Sequence, residues 1–147
     1  MIAALRQSDR RATLAHLAYG TTWEPPKEVK PERGLFLEWA PIRRRFDVPM
    51  RAQSEQLENL DAQLAVFGAD GAQVLEYCLD ESLHCGYRRN QPKPLPWNGE
   101  LFRADLATYK ERGIRHYTSF AVWVNQDYVA ACGEPPLDEY GEGLWQA

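Results

Sequence analysis

The chain has 147 residues and a formal net charge of −4, with 44% hydrophobic and 26% charged residues, as is ordinary for one soluble globular domain. No basic stripe indicates a nucleic-acid partner, and no apolar run approaches the roughly 18 residues that a membrane span needs. The charged N-terminus lacks the apolar segment of a signal peptide.

The first half of the chain predicts a short helix and two strands. Residues 1–8 have the pattern of a short helix, and residues 12–19 are apolar and strand-like. Residues 20–33 contain three prolines and predict an extended loop. A second strand is predicted over residues 34–42, where Pro41 stops it.

The second half predicts two longer helices and two further strands. Leu57, Leu60, Leu64 and Phe67 recur at spacings of three and four, which predicts an amphipathic helix over residues 53–67. The remaining predicted elements are a strand at 72–79, a polar proline-rich loop at 80–97, a helix at 100–112, a strand at 114–124, a short helix ending at Cys132, and an acidic, turn-rich tail to residue 147.

Strands that alternate with helices predict a parallel sheet with covering helices, because parallel strands need crossover connections. We therefore expect an α/β fold in which residues 1–147 form a single domain, a half-barrel of about four parallel strands. Four strands cannot close an eight-stranded barrel, which typically takes about 250 residues. Two edges and an inner face would remain uncovered, so another chain, a second copy or an open sheet are alternative completions.

Residues near the ends of the first three predicted strands carry a shared pattern. It runs from a strand-end Tyr through Thr, Glu-Pro-Pro and Lys-Pro to a strand ending in Ala-Pro-Ile-Arg-Arg, then an acid before Tyr on the next strand. It is present here as Tyr19, Thr22, Glu24-Pro25-Pro26, Lys30-Pro31, Ala40-Pro41-Ile42-Arg43-Arg44 and Glu76-Tyr77. In these residues the chain resembles family 4838 of the domains of unknown function, large bacterial proteins with a glycoside-hydrolase-like barrel, distantly similar to α-glucuronidases.

The resemblance implies the C-terminal half of a (β/α)8-like barrel, with strands five to eight present and the N-terminal half absent. It implies a carbohydrate-active fragment of uncharacterised substrate that would be an enzyme only if the missing half completed it. One departure is Gly20-Thr21, where relatives often carry His-Asp.

Glu76 is the leading catalytic candidate, because it lies on the presumed seventh strand, a usual position for a nucleophile or base in such barrels. Asp80 is the second candidate. Glycoside hydrolysis generally needs two carboxyl groups, and the partner acid usually follows the missing fourth strand. An acid inside an apolar strand costs free energy unless it is paired or functional, so an ion pair with Arg43 or Arg44 is the alternative interpretation of Glu76.

Substrate contacts are expected at the carboxyl ends of the strands, where barrel proteins place their functional groups. Aromatic rings stack on pyranoses, while carboxylates and arginines hold hydroxyls or the carboxylate of an acidic sugar. The candidates are Tyr19, Glu24, Trp39, Arg43, Arg44, Tyr77 and Trp123. The alternative roles are a loop-fixing Glu24, structural arginines and core tryptophans.

No cofactor or metal is expected. The spacing of Cys78, His84 and Cys85 fits no zinc pattern well, and an odd, sparse set of three cysteines favours the cytoplasm. The leading hypothesis is thus a carbohydrate-active barrel fragment with a saccharide ligand. The alternatives are a non-catalytic half-barrel that forms a homodimer or an interaction module, and a remnant without function.

Overall fold

The computed structural model describes residues 1–146, which contain four strands and six α-helices. The strands are β1 (Leu14–Ala18), β2 (Leu35–Trp39), β3 (Gln73–Glu76) and β4 (His116–Ser119). The helices are α1 (Ile2–Ser8), α2 (Ser54–Phe67), α3 (Glu81–His84), α4 (Gly99–Lys110), α5 (Gln126–Cys132) and α6 (Leu137–Gln146). No helix among these residues is long and apolar enough to cross a membrane.

The four strands form one sheet in the order β1-β2-β3-β4, and all three neighbouring pairs are parallel. Each strand therefore lies beside its predecessor, whereas the strand order of a doubly wound sheet reverses. Right-handed crossovers repeated in one direction place their helices on the same face, as in a barrel wall. The predicted α/β class is confirmed, and the sheet is consistent with half of a barrel.

One face of the sheet is covered by helices and contains the main core. Leu37 and Trp39 of β2 and Val74 of β3 are fully buried there, in one cluster with Leu60 of α2 and Tyr109 of α4. These strand positions alternate along the chain, and the parallel register aligns them across the sheet. The apolar stripe predicted over residues 53–67 supplies the cover, because α2 packs on β2.

The opposite face of the sheet, here termed the open face, is less covered than the face that contains the main core. None of its strand side chains is fully buried, and Leu17 of β1 is 40% exposed. Across the register, the residues of the open face are Ala15, Leu17, Phe36, Glu38, Gln73, Leu75, His116 and Thr118. The outer edges of β1 and β4 have no strand partner in this part of the chain.

The prediction of a turn-rich tail was wrong, because residues 137–146 form helix α6. Pro135 and Pro136 precede this helix, where proline is tolerated because the first turn leaves its N–H groups unpaired. Tyr140 stacks on Phe102 of α4 with ring centroids 5.2 Å apart, and Gly143 is buried against the same ring. Packing against α4 therefore stabilises a sequence with weak helix propensity.

Two smaller differences concern the ends of β3 and β4. Helix α3 interrupts the predicted loop at residues 80–97, and Asp80 caps it by accepting a hydrogen bond from Ser82 N at 3.0 Å. Strand β4 ends at Ser119, earlier than predicted. Trp123 beyond it has φ of 63°, a left-handed conformation that does not continue a strand.

Candidate functional site

Four buried side chains form one hydrogen-bonded cluster at the carboxyl end of β3, here termed the Arg44 network. Arg44 Nη1 lies 2.6 Å from Glu76 Oε1, and Arg44 Nη2 donates to Asp105 Oδ2. The Tyr109 hydroxyl donates to Glu76 Oε1. All four residues are at least 94% buried, so one guanidinium is shared between two carboxylates away from water.

Local structure explains how the network assembles. Pro41 follows β2, and its carbonyl accepts a hydrogen bond from Arg44 N at 3.0 Å, which forms a turn. Asp105 and Tyr109 are four residues apart on α4 and therefore share its buried face. Asp105 Oδ1 also accepts from Met50 N at 2.6 Å, which ties the loop after β2 to α4.

The electrostatic state of the network follows from its burial. Desolvation raises the pKa of Asp105, although the charge of Arg44 opposes the rise. Desolvation alone would lower the pKa of Arg44, but Glu76, Tyr109 and Asp105 together raise it. Burial, reinforced by Glu76, holds the pKa of Tyr109 well above its ordinary value of 10.0. Arg44 thus remains charged, and Tyr109 remains a donor at neutral pH.

Both catalytic candidates have structural partners here. Glu76 shares the helix-covered face with Val74, and its ion pair with Arg44 is the alternative that the sequence had raised. Asp80 is 5% exposed, and its Oδ1 accepts from Ser82 N and, at 2.5 Å, from Ser82 Oγ. A catalytic role for either residue stays a prediction.

A second site, here termed the strand-end pocket, lies at the carboxyl ends of β1 and β2. Its volume is about 130 Å³, and Tyr19, Trp23 and Arg43 line it together with Gly20, Ala40 and Ile42. Tyr19 is 40% exposed, and Arg43 is also exposed. The structure therefore brings together two of the predicted substrate residues, Tyr19 and Arg43, and adds Trp23 to them.

The loop that carries Trp23 is held in place by side chains of α2. The Trp23 carbonyl accepts from Asn59 Nδ2 at 2.9 Å and from Gln63 Nε2 at 2.7 Å. The Trp23 ring stacks on Trp39 with centroids 5.6 Å apart. One wall of the strand-end pocket is thus fixed to the core before any ligand binds.

The other predicted substrate residues are dispersed. Trp39 is fully buried and its indole N–H donates to Asn59 Oδ1 at 2.9 Å, so its ring has no surface for a ligand. Tyr77 is buried and stacks on Phe120 at 5.2 Å, and desolvation raises its pKa. Glu24 is exposed, Trp123 is half-buried, and neither lines the strand-end pocket; Arg44 belongs to the network.

Sequence reasoning missed Asp105 and Glu38. Asp105 falls inside the apolar stripe of α4, between Phe102 and Leu106. An acidic residue within such a stripe indicates a buried, paired carboxylate, so Asp105 could have been identified from the sequence. Glu38 lies in an apolar strand, as Glu76 does, and accepts from Gln73 Nε2 at 2.6 Å on the open face. The free-energy cost of an acid inside an apolar strand applies to Glu38 as well as to Glu76.

Among residues 1–146, no group of three or more His, Cys, Asp or Glu side chains could hold a metal ion. Cys78, Cys85 and Cys132 are free thiols. Desolvation raises the pKa of Cys78 to about 12, which keeps the thiol protonated and weakens it as a nucleophile.

Comparisons of the chain with protein-family models, with curated proteins and with solved structures find no match. The function is therefore inferred from the chemistry of the strand-end pocket, the open face and the Arg44 network.

Proposed function

We propose that the chain is a carbohydrate-binding, glycoside-hydrolase-like half-barrel that does not hydrolyse glycosides by itself. The strand-end pocket supports this proposal. Tyr19 and Trp23 supply aromatic surface of the kind that stacks on pyranose rings. The pocket opens at the carboxyl ends of parallel strands, where α/β proteins place their ligands.

The main support for this proposal comes from Arg43, which lies beside Tyr19. Of three consecutive arginines, it is the only one that forms no ion pair within residues 1–146. Arg44 pairs with Glu76 and Asp105, and Arg45 pairs with Asp47 at 2.8 Å. A free guanidinium presents a planar fork of donors that matches a carboxylate. The preferred ligand is therefore a saccharide with an acidic sugar residue.

Binding without turnover is proposed because the strand-end pocket contains no carboxylate. Glycoside hydrolysis generally uses two carboxyl groups placed on either side of the scissile bond. Glu76 lies on the helix-covered face and is already paired with Arg44. Hydrolysis would then require acids from another half of the barrel.

The test is a calorimetric titration with an oligogalacturonide and with the neutral galacto-oligosaccharide of the same length. We expect saturable binding of the acidic ligand and at least roughly tenfold weaker binding of the neutral one, since a hydrogen bond to a charged group contributes about 1.5–3 kcal/mol. Equal affinity for both, or no binding of either, would contradict the proposal.

A second candidate function is association with a second copy of the chain, and the open face favours it. Its strand side chains are half-buried or exposed, and both outer edges of the sheet lack a strand partner among residues 1–146. Two copies would supply eight strands, a number that closes a packed barrel. A two-fold dimer would also cover the exposed apolar residues of the face.

A further inference from the structure

We propose that a small cavity beside the Arg44 network binds a protonated primary amine, separately from the saccharide pocket. The cavity has a volume of about 30 Å³ and lies among the loop after β2, the end of β3, and the start of α4. Phe46, Glu76, His84, Trp97 and Phe102 are among the side chains that line it. This volume admits one group of the size of a water molecule or an ammonium head.

The first observation is an unpartnered carboxylate oxygen. Glu76 is 6% exposed, and its Oε1 atom accepts from both Arg44 and Tyr109. Its Oε2 atom is buried and accepts no hydrogen bond from any donor in residues 1–146. A buried charged oxygen without a donor is costly, so the cavity that Glu76 lines favours a ligand that donates.

The second observation is a buried ring nitrogen that also lacks a partner. His84 lines the same cavity, and its Nε2 atom has no hydrogen-bond partner in the described residues. Burial lowers the pKa of His84, which favours the neutral ring. In the neutral ring one nitrogen donates and the other accepts, so Nε2 is an acceptor in one of the two tautomers. A ligand with several N–H groups could donate to Glu76 Oε2 and, in that tautomer, to His84 Nε2 as well.

The net charge beside the cavity and the aromatic side chains that line it further restrict the class of ligand. The formal charges around the cavity are +1 on Arg44 and −1 each on Glu76 and Asp105, which leaves a net −1 near the site. Phe46, Trp97 and Phe102 provide aromatic surface, and aromatic rings attract ammonium groups. A metal ion fits less well, because no group of three or more acidic, His or Cys side chains in residues 1–146 could hold one.

The test uses methylammonium chloride as the probe and nuclear magnetic resonance as the readout. We expect saturable shifts of the Trp97 indole and His84 ring signals, with a dissociation constant on the order of 10 mM for so small a ligand. Sodium chloride at equal ionic strength controls for screening. Tetramethylammonium controls for charge, because it is larger and has no N–H to donate.

Saturable shifts with methylammonium, but not with the two control salts, would support the site. This comparison requires no variant protein. A folded Glu76→Gln variant should bind methylammonium at least tenfold more weakly, because the net negative charge is lost while the shape is kept. If that variant does not fold, Phe46→Leu replaces it, and we expect severalfold weaker binding. Equal responses to all three salts, or methylammonium shifts that do not involve Trp97 and His84, would overturn the proposal.

Discussion

At the scale of single residues, the loop after β2 shows how position decides the role of an arginine. Arg44 is buried between two carboxylates, Arg45 forms an exposed pair with Asp47, and Arg43 lines the strand-end pocket without an ion-pair partner in residues 1–146. The sequence places all three side by side and cannot rank them. Their roles follow only from where the chain turns after Pro41.

Arg43→Gln should remove the preference for an acidic saccharide. The substitution keeps a polar side chain of similar length but removes the charged fork that a carboxylate would bind. We expect affinity for an oligogalacturonide to fall at least roughly tenfold, with little change for the neutral oligosaccharide. Isothermal titration calorimetry measures both.

Arg45→Gln is the matched control, because Arg45 is an exposed neighbour outside the strand-end pocket. Its affinity for both saccharides should equal that of the unmodified chain. A similar loss in both variants would mean that general positive charge, rather than Arg43, attracts the ligand.

Arg44→Met should destabilise the fold strongly. The change leaves Glu76 and Asp105 buried without their shared cation, and breaking a buried ion pair in this way typically costs about 3–5 kcal/mol. Urea unfolding followed by circular dichroism gives the free energy of unfolding. Arg45→Met serves as the control and should change it little, because the Arg45–Asp47 pair is exposed. A stable, fully folded Arg44→Met protein would show that the network is dispensable for folding.

Tyr109 should contribute stability that is lost at alkaline pH. Burial holds the pKa of its hydroxyl well above 10.0 in the folded state, whereas unfolding returns it to that ordinary value. The unfolded chain therefore releases this proton first, so the contribution is complete below about pH 10 and declines above it.

The measurement is the free energy of unfolding of the unmodified chain and of Tyr109→Phe between pH 7 and pH 11. The variant should be less stable at pH 7, because it lacks the hydrogen bond to Glu76, and the difference should narrow above pH 10. Tyr87→Phe is the control, since Tyr87 is 65% exposed. A difference that stays constant over this range would contradict the assignment.

At the scale of elements, α6 offers a direct comparison of two glycines on one helix. A Cβ at Gly143 would approach the Phe102 ring to 2.6 Å, whereas a Cβ at Gly141 would meet nothing within 4 Å. Gly143→Ala should therefore destabilise the protein by about 1–3 kcal/mol through overpacking. Gly141→Ala should stabilise it by up to about 1 kcal/mol, because alanine favours a helix over glycine.

Thermal unfolding of the two variants provides the measurement. Shifts of the melting temperature in opposite directions are expected. Shifts in the same direction would mean that α6 does not pack on α4 through Phe102 as described.

The elements that sequence predicted well are those whose periodicity is set by one buried face. The leucines of α2 recur at helical spacing, and β1 and β2 are short apolar runs ended by turns or proline, so both patterns could be recognised locally. Helix α6 was missed because Gly141, Gly143 and the preceding prolines are local signals for turns. Its stability comes from contacts with α4, a distant segment whose position no local pattern reveals.

Several residues of the candidate site could be predicted from the sequence, but the contacts between them could not. Tyr19 and Arg43 were identified because they follow strand ends, and the fold does bring them together. Glu76 was also identified, but sequence alternation alone could not tell whether its side chain faced the helices or the open face. Asp105, its neighbour through Arg44, comes from an element 61 residues beyond that arginine.

At the scale of the whole molecule, the two faces of the sheet differ in how deeply their side chains are buried. The helix-covered face contains the fully buried core, whereas the open face leaves Leu17 40% exposed and Phe36 and Leu75 half-buried. Parallel sheets are normally covered on both faces. This asymmetry favours a partner that covers the open face, and a second copy is the partner proposed above.

Leu17→Lys should disrupt such a dimer. Leu17 lies on the open face of the edge strand β1, at one end of the row that continues through Glu38, Gln73 and His116. A lysine there would place a charge where the second copy is proposed to pack. Sedimentation velocity over a hundredfold concentration range should show a dimer for the unmodified chain and a monomer for the variant. Leu137→Lys is the control, because Leu137 is 53% exposed on α6, a helix that packs on α4, and it should leave the dimer intact. A chain that stays monomeric throughout that range would exclude self-association and leave the open face to a different partner.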